Sequence, residues 1–257
     1  MSGSPLFTGV GVALVTLFHD DGSLDADATA DLAVQLADCG VRAVLVGGTT
    51  GEAMTLSPEE RVALVRAVRS AVPSATPVIA GTGAATGAQA AALTRAAADA
   101  GADAVLALSP HRVDDPRPYF DTVAKACAGT PLLGYHFPAM SAPGIPVEHL
   151  AELPIEGLKD SSGEPERLLQ EVAAFAGAVY VGSAAVLTMA GAVGAEGAIL
   201  ALANARPELC AEAFAGDGAA QARLLADHLV GTRNPPAGIK ALTAARFGTS
   251  TVARLGS

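Results

Sequence analysis

Eight short apolar runs, each followed by a stretch of helical periodicity, recur along this chain and leave few folds open to it. The runs cover residues 9–18, 41–46, 76–80, 104–108, 131–135, 155–158, 178–181 and 197–202. Helical segments follow at 25–38, 57–72, 86–100, 118–128 and 164–176, with shorter ones at 147–152 and 184–192. The punctuation agrees: His19-Asp20-Asp21-Gly22 closes the first run as a turn, Ser57-Pro58-Glu59-Glu60 opens a helix, and Gly40 and Gly101 end two others. Strand–helix alternation predicts a parallel sheet, and eight regular repeats predict its closure, an α/β protein with the (β/α)8 TIM barrel fold. An open doubly wound sheet is the alternative, which the regular count disfavours. Beyond the eighth run, 207–230 and 238–247 read as helices hinged at Asn234-Pro235-Pro236. Residues 1–206 are therefore assigned to the barrel and 207–257 to a short C-terminal helical extension packed on it.

Length is compatible with one such barrel, since 257 residues is an ordinary size for it. Hydrophobic residues at 51% supply a large core, and with 16% charged residues disorder is not expected. A net charge of −10 argues against a nucleic-acid or anionic-membrane surface, so any anionic ligand has to be held by local groups. Cys39, Cys127 and Cys210 are far apart and odd in number, which fits buried thiols in a reducing compartment rather than a disulfide framework or a zinc site. Residues 1–5 lack the basic start and apolar stretch of a signal peptide, and the apolar stretch 184–203 is interrupted by Gly191, Gly194, Glu196 and Gly197. A cytoplasmic protein without a membrane span is expected.

In a barrel of this kind the chemistry sits where strands end and helices begin. The chain has three lysines, Lys125, Lys159 and Lys240, and Lys159 falls at such a position, in Gly157-Leu158-Lys159-Asp160-Ser161-Ser162-Gly163. A lysine walled off from water favours its neutral form, the form that attacks a carbonyl. A lone lysine at a loop would otherwise simply snorkel to solvent. After the second run comes Gly47-Gly48-Thr49-Thr50-Gly51-Glu52, whose backbone N–H groups and paired hydroxyls suit a small carboxylate. It lacks the Gly-Lys-Ser/Thr ending of a phosphate-binding P-loop. After the fifth run comes Tyr135-His136-Phe137-Pro138, where a phenol can pass a proton. Taken singly, the glycine loop also reads as a turn and the tyrosine as a packed core residue.

Together these segments, with Gly182 after the seventh run, resemble the pyruvate-dependent class I lyase family that includes dihydrodipicolinate synthase and N-acetylneuraminate lyase. The resemblance runs from about Phe7 to Gly248 and implies roles residue by residue. Lys159 would form a Schiff base with the keto carbon of pyruvate. Gly48, Thr49 and Thr50 would hold its carboxylate, Tyr135 would relay protons with Thr49, and Ile199 would wall the pocket through its backbone. The protonated imine is itself the electron sink, so the mechanism calls for no metal and no organic cofactor.

Two departures from the family pattern bear on the substrate. The arginine that dihydrodipicolinate synthases carry shortly after the tyrosine motif is absent from residues 138–144. The tyrosine those enzymes carry after strand four is replaced by Ser109-Pro110-His111-Arg112. Either Tyr135 and Thr49 manage the relay alone or His111 substitutes, because histidine titrates near neutral pH; Arg112 and His136 read either as contacts to a different substrate or as solvated loop residues. The expected activity is that of a lyase or aldolase making or cleaving a 2-keto acid, with a 2-keto-3-deoxy sugar acid fitting the missing arginine. The alternatives are 4-hydroxy-tetrahydrodipicolinate synthase, a dehydratase using the same imine, and a non-catalytic 2-keto acid binder. Partners are then pyruvate and an aldehyde or a 2-keto acid, with no nucleic acid or membrane, in a homo-oligomeric dimer or tetramer. With little chain after Phe247, part of the family's C-terminal helical extension is expected to be lost, which bears on the usual tetramer more than on the chemistry.

Overall fold

The computed structural model of the chain describes residues 4–256, so the signal-peptide reading of the first five residues lies outside it at Met1, Ser2 and Gly3. Eight parallel strands close into a barrel in chain order: β1 (Gly9–Ala13), β2 (Val44–Val46), β3 (Val78–Gly81), β4 (Ala104–Leu108), β5 (Leu132–His136), β6 (Gly157–Asp160), β7 (Ala178–Val181) and β8 (Gly197–Leu200). Pairing of β8 with β1, from Gly9↔Gly197 to Val12↔Leu200, closes the ring and removes the open-sheet alternative. The helices are α1 (Ala26–Asp38), α2 (Pro58–Ala71), α3 (Gly87–Asp99), α4 (Arg117–Ala124), α5 (Pro165–Ala174), α6 (Leu187–Val193), α7 (Pro207–Phe214), α8 (Gly218–Arg233) and α9 (Ala237–Phe247). No helix among the described residues is long and apolar enough to cross a membrane.

Alternation along the strands divides the buried side chains into two sets. Ala13, Leu45, Ile79, Leu106, Leu133, Tyr135, Tyr180 and Ile199 fill the barrel interior, whereas their neighbours, such as Val12, Val44, Val105 and Leu158, pack beneath the helices. Phe7 stacks on Tyr180 with ring centroids 4.6 Å apart and plugs the N-terminal end. The opposite end is the one left for ligands.

Local chemistry explains the helix ends. Ser57 and Glu60 form a reciprocal capping box at the start of α2, and the Asp25 side chain accepts from the Ala28 N–H at the start of α1. The single helix expected over 207–230 is two helices. Ala215 and Gly216 end α7, Gly216 with φ +106°, and Asp217 then caps α8 by accepting from the N–H groups of Ala219 and Ala220. Helix α7 packs on β1 and α8 packs on α7. Of the three cysteines, Cys127 and Cys210 are buried as expected, while Cys39 is half-buried and its Sγ accepts from Arg246.

Beyond α9 the chain turns back toward the C-terminal ends of the strands. Arg254 donates to the carbonyls of Gly22 and Thr55 and pairs with Glu60 at 2.6 Å. Its guanidinium and the Lys240 ammonium each lie 4.4 Å from the centre of the Phe18 ring.

Candidate active site

Lys159 belongs to β6 itself, one residue before its end, in register with Tyr135 of β5 and Tyr180 of β7. That parity turns its side chain into the barrel, where it is 4% exposed. Its Nζ sits 4.4 Å from the centre of the Tyr135 ring and has no hydrogen-bond partner among the described residues. Gly182, just past β7, makes the room: a Cβ there would stand 1.9 Å from Ser161 Oγ and 3.0 Å from Lys159 Cε.

The glycine-threonine loop after β2 is folded tightly against its surroundings. Gly47 has φ +61°, and the carbonyl of Gly48 accepts from the N–H groups of Gly51 and Ala53. The Thr16 hydroxyl donates to the Gly51 carbonyl at 2.8 Å and ties the loop to the chain leaving β1. Neither the hydroxyls nor the N–H groups of Thr49 and Thr50 have a hydrogen-bond partner among the described residues, and both residues are partly exposed. This is a set of donors held in place without an acceptor. Thr49, Gly48 and Tyr135 line one cavity of about 110 Å³ at the barrel mouth.

The Tyr135 hydroxyl meets the hydroxyl of Ser161 at 3.4 Å, a residue not singled out as a site candidate although it stands two positions after the lysine. Ile199 is buried in the barrel interior, one strand away from β7. Lys159 thus lies beside Tyr135 and Gly182, and Ile199 is buried in the same barrel interior, while Gly48 and Thr49 share the mouth cavity with Tyr135; Thr50 follows Thr49 outside that cavity's lining.

His136, Arg112 and His111 are not brought into it. His136 follows Tyr135 directly in a strand, so its side chain points the other way, into the layer beneath the helices. There it is 4% exposed, and its Nδ1 accepts from the Ile145 N–H at 2.9 Å. Burial, reinforced by the nearby Arg167 charge, pushes its pKa down to about 3, so it is neutral and structural. Arg167 donates to the Ile145 carbonyl, so the two side chains together fasten the segment that returns from β5. His111 and Arg112 lie exposed in the loop after β4, outside the cavity lining. Arg112 adopts φ +59°, and its backbone N–H donates to the Ala142 carbonyl at 2.7 Å.

Glu52, the last residue of the glycine-threonine loop, is buried but faces a counter-ion rather than a ligand. Its Oε1 is 2.5 Å from Lys240 Nζ, both side chains being fully buried, and its Oε2 accepts from the N–H groups of Arg254 and Leu255. Burial pulls the Lys240 pKa down while Glu52 opposes the shift. The loop that presents Thr49 and Thr50 is thus pinned by the far end of the chain. At the other side of the mouth, Asn204 donates to the carbonyls of Ala13 and Ala201 and accepts from Val15, joining the ends of β1 and β8.

The fold is a closed (β/α)8 barrel in which Lys159 and Tyr135 meet near the C-terminal ends of their strands, the end where barrels of this kind carry their chemistry. The model of the dihydrodipicolinate synthetase family matches residues 6–230, and the chain belongs to that family, whose members are pyruvate-dependent lyases and aldolases. A 4-hydroxy-tetrahydrodipicolinate synthase of Corynebacterium aurimucosum is 35% identical over 226 residues, covering 83% of this chain and 73% of that one. An uncharacterized DapA-like lyase of Halobacterium salinarum is 38% identical over 218 residues, covering 81% and 71%. Among solved structures, dihydrodipicolinate synthase DapA-2 of Bacillus anthracis aligns with a TM-score of 0.84 at 30% identity, covering 96% of this chain and 91% of its own. The Escherichia coli prophage protein YagE, in complex with pyruvate, aligns with a TM-score of 0.88 at 25% identity, covering 98% and 93%.

Proposed function

We propose that the protein is a class I aldolase that makes or cleaves a 2-keto acid through an imine between Lys159 and pyruvate. The observation that carries this reading is the buried Lys159 amine, without a hydrogen-bond partner and stacked over Tyr135. Its Nζ attacks the keto carbon of pyruvate, and the carbonyl oxygen leaves as water after taking up protons. Loss of a proton from the adjacent methyl gives an enamine, whose carbon attacks the aldehyde. The aldehyde oxygen takes a proton, and water then releases the product and restores the amine.

Gly48, Thr49 and Thr50 hold the pyruvate carboxylate with their unpaired N–H and hydroxyl donors. Tyr135 moves the protons, with the Ser161 and Thr49 hydroxyls as its relay neighbours. Gly182 leaves the space in which Cε swings, and Ile199 borders the site through its backbone. The absence of an arginine from residues 138–144 favours aldolase chemistry over condensation with aspartate semialdehyde. The protein acts as a homo-oligomer paired through the exposed loop after β4.

The test is intact mass after incubation with pyruvate and borohydride, which reduces an imine to a stable amine. One pyruvate-derived increment is expected on the wild type and none on Lys159→Ala. A folded wild type that stays unmodified would overturn the reading.

A further inference from the structure

Three exposed apolar side chains at the barrel mouth have no part in imine chemistry. Met54 is 77% exposed, Met140 42% and Leu255 39%. They come from the loop after β2, the loop after β5 and the C-terminal segment, yet all three line the same cavity as Thr49 and Tyr135. Leu106 and Leu108 of β4 complete its apolar surface. Scattered exposed apolar residues need no explanation, but three distant segments converging on one cavity do.

Two charged residues also line the cavity, and both are engaged elsewhere. Glu52 is paired with Lys240 and with the C-terminal backbone. The Arg61 guanidinium donates to the carbonyls of Gly81 and Ala53. With the Thr49 and Tyr135 groups engaged by pyruvate, a second ligand's carboxylate would lose its water here without gaining a free cation, and a chain of hydroxyls would lose water without gaining fixed partners. An apolar chain loses nothing. Leu255 is positioned rather than loose, because its own N–H donates to Glu52 at 2.8 Å.

We propose that this cavity is the subsite for the second carbonyl compound, that its occupant is an uncharged aldehyde with an apolar chain, and that Leu255 is a specificity-determining residue for it. The inference rests on the imine reading, since it takes Tyr135 and Thr49 as the neighbours of bound pyruvate. It assigns the C-terminal segment a place in substrate selection.

The experiment compares kcat/KM for addition of pyruvate to isovaleraldehyde, glyceraldehyde and succinic semialdehyde, in wild type, Leu255→Ala and Leu255→Arg. Borohydride trapping of pyruvate and the mass in solution are measured on the same samples. The wild type is expected to favour isovaleraldehyde at least tenfold over the other two. Leu255→Ala is expected to reduce that ratio about tenfold, and Leu255→Arg to shift it toward succinic semialdehyde. Because the readout is a ratio between aldehydes on one protein, a general loss of folded enzyme cancels. Trapping without that preference, or a ratio unmoved in both variants, overturns the proposal alone. An unmoved ratio with a changed mass in solution would assign the apolar patch to a second copy of the chain. No trapped pyruvate on the wild type overturns the imine and the subsite together.

Discussion

Gly182 is the glycine at which an added side chain would run into the lysine. A methyl group there meets Ser161 Oγ at 1.9 Å and crowds Lys159 Cε at 3.0 Å, so Gly182→Ala has to push aside the nucleophile or its neighbour. The expected result is a fall of at least tenfold in the rate of borohydride-trapped adduct, with an unchanged circular dichroism spectrum. A variant that traps pyruvate at the wild-type rate would show that the space is not needed. Glycine at this point was legible in the sequence only as one element of a motif, since a single glycine carries no trace of what it lies against. Lys159 and Tyr135 stand out in the sequence because each sits at the end of an apolar run, and the paired threonines because they follow such a run across two glycines. The error at His136 was avoidable on the same footing: adjacent strand residues face opposite sides, so Tyr135 and His136 cannot both enter the barrel. Arg112 and His111 gave no such cue, because loop residues have no fixed parity.

Helix α5 carries a buried acid beneath the strand that presents the lysine. Glu171 is fully buried and lies 2.7 Å from Arg167, which in turn is 4.0 Å from Asp160 of β6. Burial, and then the negative charge of Asp160, push its pKa up to about 8. A carboxyl whose pKa is higher folded than unfolded contributes stability at low pH and loses it as pH rises through the folded value. Stability should therefore decline between about pH 4.5 and pH 8 through this group. Glu171→Gln is expected to flatten that decline, narrowing the drop in Tm between pH 5 and pH 9 by up to about 10 °C. Differential scanning calorimetry across that range checks it, and equal slopes in both proteins would remove Glu171 as the cause. The elements themselves were legible where apolar spacing and caps agree, as in α1, α2 and α3. The break between α7 and α8 was missed because 207–230 keeps helical spacing across it, although Gly216-Asp217 is itself a stop and a cap.

On the scale of the whole molecule, the barrel is held by a buried ion pair between its second loop and its last helix. Lys240 and Glu52 are both fully buried, and removal of one partner strands the other charge away from water. Lys240→Met should cost about 3–5 kcal/mol in urea denaturation. A loss below about 1 kcal/mol would mean that Glu52 finds water or a proton instead. The closed barrel was legible from eight counted repeats, but this pair was not. Charges that meet across the whole length of a chain leave no periodicity or motif, and Glu52 sat inside a motif that pointed toward a ligand. The same separation governs how the protein is made. Glu52 and Arg254 are 202 residues apart, an interval that takes a ribosome about 10–40 s at ordinary elongation rates. Throughout that time the threonine loop exists as nascent chain without the cation and backbone donors that fix it. Messages cut short before Lys240 would yield a product whose second loop holds an acid with nowhere to settle, so synthesis of the far end is also the step that arms the mouth of the barrel.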